Sequence, residues 1–365
     1  MKSGDISLCP FKPRRLAVGE VDRMAIPADA LQAIAFLCEE RTIKHKKLRV
    51  PIATVFIVAV PEGDSEFLYA VTARHCLEDG RGNLFLRVNK KGSGFHDIKA
   101  DRDDWTPHQD ADVTATPFAP DSSQYPDLEY RTIPLWCFVG SGPNYAYTGP
   151  PLSKPHSLQP TIGHDVYFLG LFTQHWGVER NLPIARFGHI SRMPDKLKLP
   201  RDRGTSSFET VAYLIESHSW GGHSGSPVFF MYPMTAQKTV PTDGGNTTMV
   251  IIGNCVGLLG LVSAHYTIPI EAEVTGDVLG KIETKLNSGI MVVTPADAVR
   301  QLLLECEDFV EDRKRRQKES DDNKPMPSMD TVATDEPASS FTKADFEQAL
   351  KKASRKIEPQ STGKK

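Results

Sequence analysis

Long apolar runs are missing from this 365-residue chain. No stretch approaches the ~18–20 residues that would cross a bilayer, which argues against a membrane protein. The first residues, MKSGDISLCPFKPRRLAVGEV, have no apolar segment of the kind a secretory signal carries. A cytoplasmic protein is therefore expected. An excess of one charge is also missing: 43 Lys and Arg stand against 46 Asp and Glu, a formal charge of −3. That balance offers no electrostatic basis for holding nucleic acid. Cysteine is sparse, with Cys9, Cys38, Cys76, Cys137, Cys255 and Cys306 scattered along the chain. They form neither a CxxC pair nor a His/Cys cluster at zinc spacing, so no metal, cofactor or disulfide framework is expected, only buried or partly buried thiols. No repeat of solenoid period is present either.

What is there divides unevenly. Residues 311–365 hold 13 Lys and Arg and 11 Asp and Glu, with Pro and Ser between the charge runs. Such a stretch buries too little apolar surface to fold alone, and a disordered tail is expected over 313–365. Inside it, Thr342 as an N-cap, Asp345 three residues on, and Phe346, Ala349, Leu350 and Ala353 at helical spacing predict a short amphipathic helix over 342–355. It would suit a regulatory protein with an apolar groove. Residues 1–29 read as an N-terminal extension.

Between these ends the pattern is that of strands. The runs at 30–37, 50–60, 67–73, 165–172, 210–216, 249–264 and 288–294 are short and rich in β-branched and aromatic residues. Turn-forming segments such as PEGDSE, EDGRGN and PTDGGN separate them. Many short strands without alternating helices predict an all-β sandwich or barrel. One helix is predicted over 295–312, where Val299, Leu302, Leu303 and Cys306 form an apolar stripe. The loop-rich stretch 119–164 is expected to join two halves, 30–150 and 151–312.

Two segments carry chemistry. In VTARHC (71–76) an apolar strand ends in His75, and GHSGSP (222–227) sets Ser224 among glycines. A serine hydroxyl is a weak nucleophile that needs an adjacent base, and the base needs a third group to orient it. Glycines beside the serine permit a tight turn and let main-chain N–H groups converge on a developing oxyanion.

These segments resemble the T-A-x-H-C and G-x-S-G-[GS]-P segments of chymotrypsin-like (trypsin-fold) serine proteases, of the bacterial trypsin-like peptidase type. The resemblance implies two antiparallel six-stranded β-barrels, one holding His75 and the acid, the other Ser224. It implies that the acid lies between them. Asp112, entering the strand Val113-Thr114-Ala115-Thr116, fits that pattern; Asp103, Asp104 and Asp110 compete for the position but are followed by polar or irregular sequence. A further segment, LLGLVSAH (258–265), resembles the strand lining the substrate channel, with Ser263 at the position of the serine that supports the buried acid. SGIMVVTP (288–295) resembles the strand that closes the pocket.

By the same resemblance, Gly222 and Ser224 supply the oxyanion N–H groups, and His218, Ser263, Ala264 and His265 belong to the substrate pocket. A His at 218 and the pair Ala264-His265 imply a narrow pocket for a polar, acidic or small side chain rather than a basic one. The chain also departs from the family. His223 replaces the usual acid before the nucleophile, which removes the activation route of the digestive members. Cys76 has no partner at Ala59 or Val60, so the disulfide of secreted members is absent. The expected activity is cleavage of a protein or peptide substrate by a serine endopeptidase without cofactor or metal. A pseudoprotease, a latent enzyme and an α/β-hydrolase are the alternatives. The last fits poorly, since Pro227 stands where the helix after its nucleophile should begin.

Overall fold

The computed structural model describes residues 26, 28–78, 82–140, 159–200, 207–217, 222–242, 245–274 and 280–322. Its elements run, in chain order, α1 (Ala28–Gln32), β1 (Ile34–Ile43), β2 (Lys46–Glu62), β3 (Ser65–Thr72), the single turn α2 (His75–Glu78), β4 (Leu84–Asn89), β5 (Phe95–Ala100), β6 (Thr106–Pro107), β7 (Thr114–Pro117) and β8 (Ile133–Pro134). Then follow β9 (Asp165–Gly170), β10 (Ile184–Pro200), β11 (Ser207–Glu216), β12 (Pro227–Thr242), β13 (Gly245–Val274), β14 (Gly280–Pro295), α3 (Ala296–Glu305) and α4 (Glu307–Asp322).

The protein is mostly β, in two sheets. The first has eight strands in the order β5-β4-β1-β2-β3-β7-β6, with β8 paired to β2. The β2–β8 pair is parallel and the others are antiparallel. The second, β10-β11-β14-β13-β12-β9, closes on itself as a six-stranded antiparallel ring. The expected pair of six-stranded barrels is thus met in strand count only by the second. The first sheet gains the β6 and β8 pairings of two residues each, and its described strand path does not close.

Why so many strands are apolar on both faces is visible in the packing. Along β2, Val55 and Ile57 enter a core with Leu37, Leu84, Leu86 and Trp105, inside the first sheet. Their neighbours Phe56 and Val58 enter a different core, shared with Tyr167, Leu169, Phe229 and Leu258 of the second sheet. Strand β9 does the same from the other side. Its Val166 and Phe168 face the interior of the ring, while Tyr167 and Leu169 face the shared core. Successive side chains of a strand point to opposite faces, so a strand buried on both sides reads as an unbroken apolar run.

Three local expectations are corrected. Residues 30–37 were expected as strand, but Ala28–Gln32 is helical and β1 begins at Ile34. The helix over 295–312 is two helices, broken at Cys306, which is extended (φ −66°, ψ 123°). The expected tail boundary at 313 is overrun, because α4 continues through Asp322. Its Arg313 is 3% exposed; Nε reaches Glu62 (2.6 Å) and one terminal nitrogen donates to Tyr69 Oη (3.1 Å) and the Leu303 carbonyl (2.7 Å). Phe309 stacks obliquely on the Tyr69 ring at 5.0 Å. A charge-rich stretch is held to β3 by Phe309 and Arg313, and by Arg316, whose guanidinium lies 4.9 Å over the Phe67 ring. The helix expected over 342–355 lies outside the described residues. Among the described residues no helix is long and apolar enough to cross a membrane, and no group of His, Cys, Asp or Glu is placed to hold a metal.

Arg313→Ala leaves the Tyr69 hydroxyl and the Leu303 carbonyl short of a donor. Glu62 is 43% exposed, so its ion pair adds little. The unfolding free energy should fall by about 2–3 kcal/mol, read from the urea midpoint at unchanged slope. A loss below about 0.5 kcal/mol, the size of an ordinary surface substitution, would show that α4 is not docked in this way.

Candidate active site

His75 begins the turn α2 directly after β3, so its position is set by a strand with Tyr69, Ala70, Val71 and Thr72 all buried. Asp112 precedes β7, the neighbour of β3, in register Thr72↔Thr114. Adjacent antiparallel strands therefore bring the two side chains to one end of the first sheet. The acid loop is tied down by His108. Its Nδ1 accepts from the N–H groups of Asp110 and Ala111 (both 3.1 Å), its N–H donates to the Val113 carbonyl (2.9 Å), and its Nε2 lies 3.2 Å from Gln301 Oε1 of α3.

Ser224 comes from the second sheet, in the turn just before β12. Gly222 (φ +98°) and Gly225 (φ +81°) on either side occupy the left-handed region, which glycine enters without strain. The Ser224 carbonyl accepts from Thr54 N–H of β2 (3.0 Å), so the turn is pinned to the first sheet.

The three side chains form one hydrogen-bonded series. Asp112 Oδ2 lies 2.7 Å from His75 Nδ1, and Oδ1 accepts the His75 backbone N–H at 3.0 Å. His75 Nε2 lies 2.9 Å from Ser224 Oγ. An ionised carboxylate only accepts, so Nδ1 carries the ring proton and Nε2 is left to accept from the serine hydroxyl. Asp112 is 7% exposed, while Ser224 is half-buried and reachable. Burial of the imidazole opposes its positive charge. The adjoining Cys76 sulfur, 3.7 Å from Nε2, and the Asp112 carboxylate outweigh it, and His75 is held well above the ordinary histidine value.

Among the described residues the N–H groups of Gly222 and Ser224 donate to nothing. Those that follow are spent, Gly225 on the Val262 carbonyl (2.8 Å) and Ser226 on the His223 carbonyl (2.9 Å). His223 itself is buried, its ring edge-on to Phe168 at 5.4 Å.

His75, Asp112, Ser224 and Gly222 are thus brought together, while Asp103, Asp104 and Asp110 are not partners of His75. Of the expected pocket residues, Ser263, Ala264 and His265 make no described bond to this group. Ser263 was expected to support the acid; its Oγ instead pairs with Thr294 Oγ1 at 2.5 Å, and both described bonds of the Asp112 carboxylate go to His75. Ala264 packs with Leu197, Ala212 and Val292, and His265 is exposed. His218 lies outside the described residues. Cys38, Cys76 and Cys306 are free thiols, and burial pushes Cys38 up to about 12. Sequence reasoning missed Thr54. The only signal was a hydroxyl in the middle of the apolar run VPIATVFIVAV.

No family model and no curated protein matches the chain. Among solved structures, the Rv3671c protease from M. tuberculosis in its active form is similar at 15% identity, covering 76% of this chain and 81% of that one, with a TM-score of 0.37. Its inactive form gives 14% identity over 77% and 91%, with a TM-score of 0.34. The tobacco vein mottling virus protease gives 12% over 76% and 84%, with a TM-score of 0.30. Likenesses of that depth leave the site to be read from its own geometry.

If Asp112 sustains the raised basicity of His75, Asp112→Asn should lower the imidazole pKa measured by NMR titration of the ring protons. An unchanged titration would assign the shift to another group.

Proposed function

We propose that this protein is a serine endopeptidase of the chymotrypsin-like kind, with His75, Asp112 and Ser224 as its catalytic residues. One observation carries the reading: a single imidazole bridges a buried carboxylate at 2.7 Å and a reachable serine hydroxyl at 2.9 Å. That is the arrangement nucleophile, base and orienting acid require. The supply of each part from separate elements, two from one sheet and one from the other, supports it further.

In the proposed reaction Ser224 Oγ attacks the carbonyl carbon of a peptide bond as its proton passes to His75 Nε2. The negative charge that gathers on the former carbonyl oxygen is met by the N–H groups of Gly222 and Ser224. Removing such a donor costs about 3–4 kcal/mol of transition-state stabilisation in related chemistry. Asp112 accepts the hydrogen bond of the Nδ1–H throughout, stays ionised, and stabilises the imidazolium. The imidazolium then protonates the departing amine, and an acyl group remains on Ser224. Water enters, loses its proton to Nε2, and releases the acid while Ser224 recovers its hydrogen. Every proton movement passes through one nitrogen of one ring.

His75 serves as a base only when neutral. Its raised pKa therefore moves the acid limb of kcat/KM to a higher pH than ordinary histidine would give, and activity is lost as pH falls through that value. A fluorophosphonate probe should label the wild-type protein on Ser224, and Ser224→Ala should abolish labelling while leaving the fold intact. His75→Ala should slow labelling strongly, because the base is gone. A wild-type serine that does not react, in protein shown by circular dichroism to be folded, contradicts the enzyme reading.

A further inference from the structure

Beneath the candidate nucleophile lie three hydroxyls with no exposure, or none measurable, to solvent: Thr54, Thr72 and Ser226, each 0% exposed. Thr54 is the hub. Its Oγ1 donates to the Gly222 carbonyl (3.1 Å), accepts from the Leu171 N–H (2.9 Å), and accepts from Ser226 Oγ (3.1 Å). One donor and two acceptor positions are all a threonine hydroxyl has, so its capacity is used in full. The backbone of the same residue is equally committed. Thr54 N–H holds the Ser224 carbonyl at 3.0 Å, and the Thr54 carbonyl accepts Thr72 Oγ1 at 2.7 Å.

These bonds link the two sheets at one point. Thr54 sits on β2 and Thr72 ends β3, three positions before His75, whereas Gly222, Ser224 and Ser226 belong to the turn of the second sheet and Leu171 follows β9. Close approach is built in, since a β-carbon on Gly225 would fall 2.2 Å from both the Thr54 carbonyl and Thr72 Oγ1. Buried hydroxyls without partners are costly, and this cluster is satisfied only in one arrangement of the turn. By gripping the carbonyls of residues 222 and 224, Thr54 fixes the 222–223 and 224–225 peptide planes, which flank the peptide that carries the Ser224 N–H. The N–H groups of the same two residues donate to no described residue, which leaves them available to a ligand.

We infer that Thr54 is a positioning residue for the oxyanion-binding turn: its hydroxyl, supplied by the opposite sheet, holds Gly222, while its backbone N–H holds Ser224, in the orientation that stabilises negative charge. This rests on the serine endopeptidase reading above. Thr54 touches no reacting atom and acts through the turn alone.

Three variants of the full chain test it: Thr54→Val, which keeps the shape and removes the hydroxyl, Thr54→Ser, which keeps the hydroxyl, and Ser226→Ala, which removes a donor to Thr54 but leaves its bond to Gly222. With a peptide or ester substrate, kcat should fall about 10- to 100-fold in Thr54→Val with KM little changed, as expected for a displaced transition-state contact. Thr54→Ser should restore most of the loss, and Ser226→Ala should lie nearer to wild type than to Thr54→Val. The His75 titration by NMR should be the same in all, since the His75–Asp112 pair is untouched. A Thr54→Val protein with wild-type kcat overturns the inference, and so does a Thr54→Ser protein as impaired as Thr54→Val. If Thr54→Val does not fold, Thr54→Ala read against Thr54→Ser makes the same comparison. Failure of the wild type itself to react at Ser224 would sink the enzyme reading instead, which keeps the two claims separable.

Discussion

His75 and Asp112 hang from one sheet and Ser224 from the other, so the 2.9 Å contact between base and hydroxyl depends on the apolar core the two sheets share. Phe56, Val58, Tyr69 and Val71 meet Tyr167, Leu169, Phe229 and Leu258 there, all buried. Full burial of each such side chain is worth about 1.5–3 kcal/mol, against about 1 kcal/mol net for a typical hydrogen bond. The core therefore decides where the sheets sit. Helix α3 extends it with Val299, Leu302 and Leu303 and reaches the acid loop through Gln301 and His108.

Hydrogen bonds then do what apolar packing cannot, because packing has no direction. Carboxylate, imidazole and hydroxyl are aimed by bonds of 2.7 and 2.9 Å, and the turn that bears Ser224 is aimed by Thr54 from across the interface. The fully buried hydroxyls tolerate few alternatives, since each would leave a polar atom unpaired away from water. Rigidity at the site thus follows from the same burial that makes the fold stable.

How much of this could be read in the sequence depends on how local each signal is. His75 and Ser224 were legible because each stands in a short segment whose neighbours serve the same chemistry. Asp112 was favoured over Asp103, Asp104 and Asp110 through the family resemblance, by the strand it enters. Thr54 was not, since its partner Gly222 is 168 residues away and nothing beside it marks a hydroxyl as special. Strand β10 was not among the expected strands, because its polar residues and Pro194 break the apolar pattern; the register shifts between Arg192 and Asp195, where the proline is accommodated. The break at Cys306 carries neither Gly nor Pro. Packing of Phe309 on Tyr69 and burial of Arg313 set the course of α4, and both contacts lie far away in sequence. The exposure of His265 and the turn of Ser263 toward Thr294 follow from the register of β13, which residue type alone does not set.

The central claim is that Ser224, activated by His75, forms a covalent acyl intermediate. Brief incubation with an activated acetyl ester, acid quenching and peptide mass mapping test it most directly. The account predicts an acetyl group on Ser224 that appears within a burst and disappears when the protein is returned to neutral pH. Absence of the adduct, or its appearance on Cys76 in place of Ser224, would contradict it.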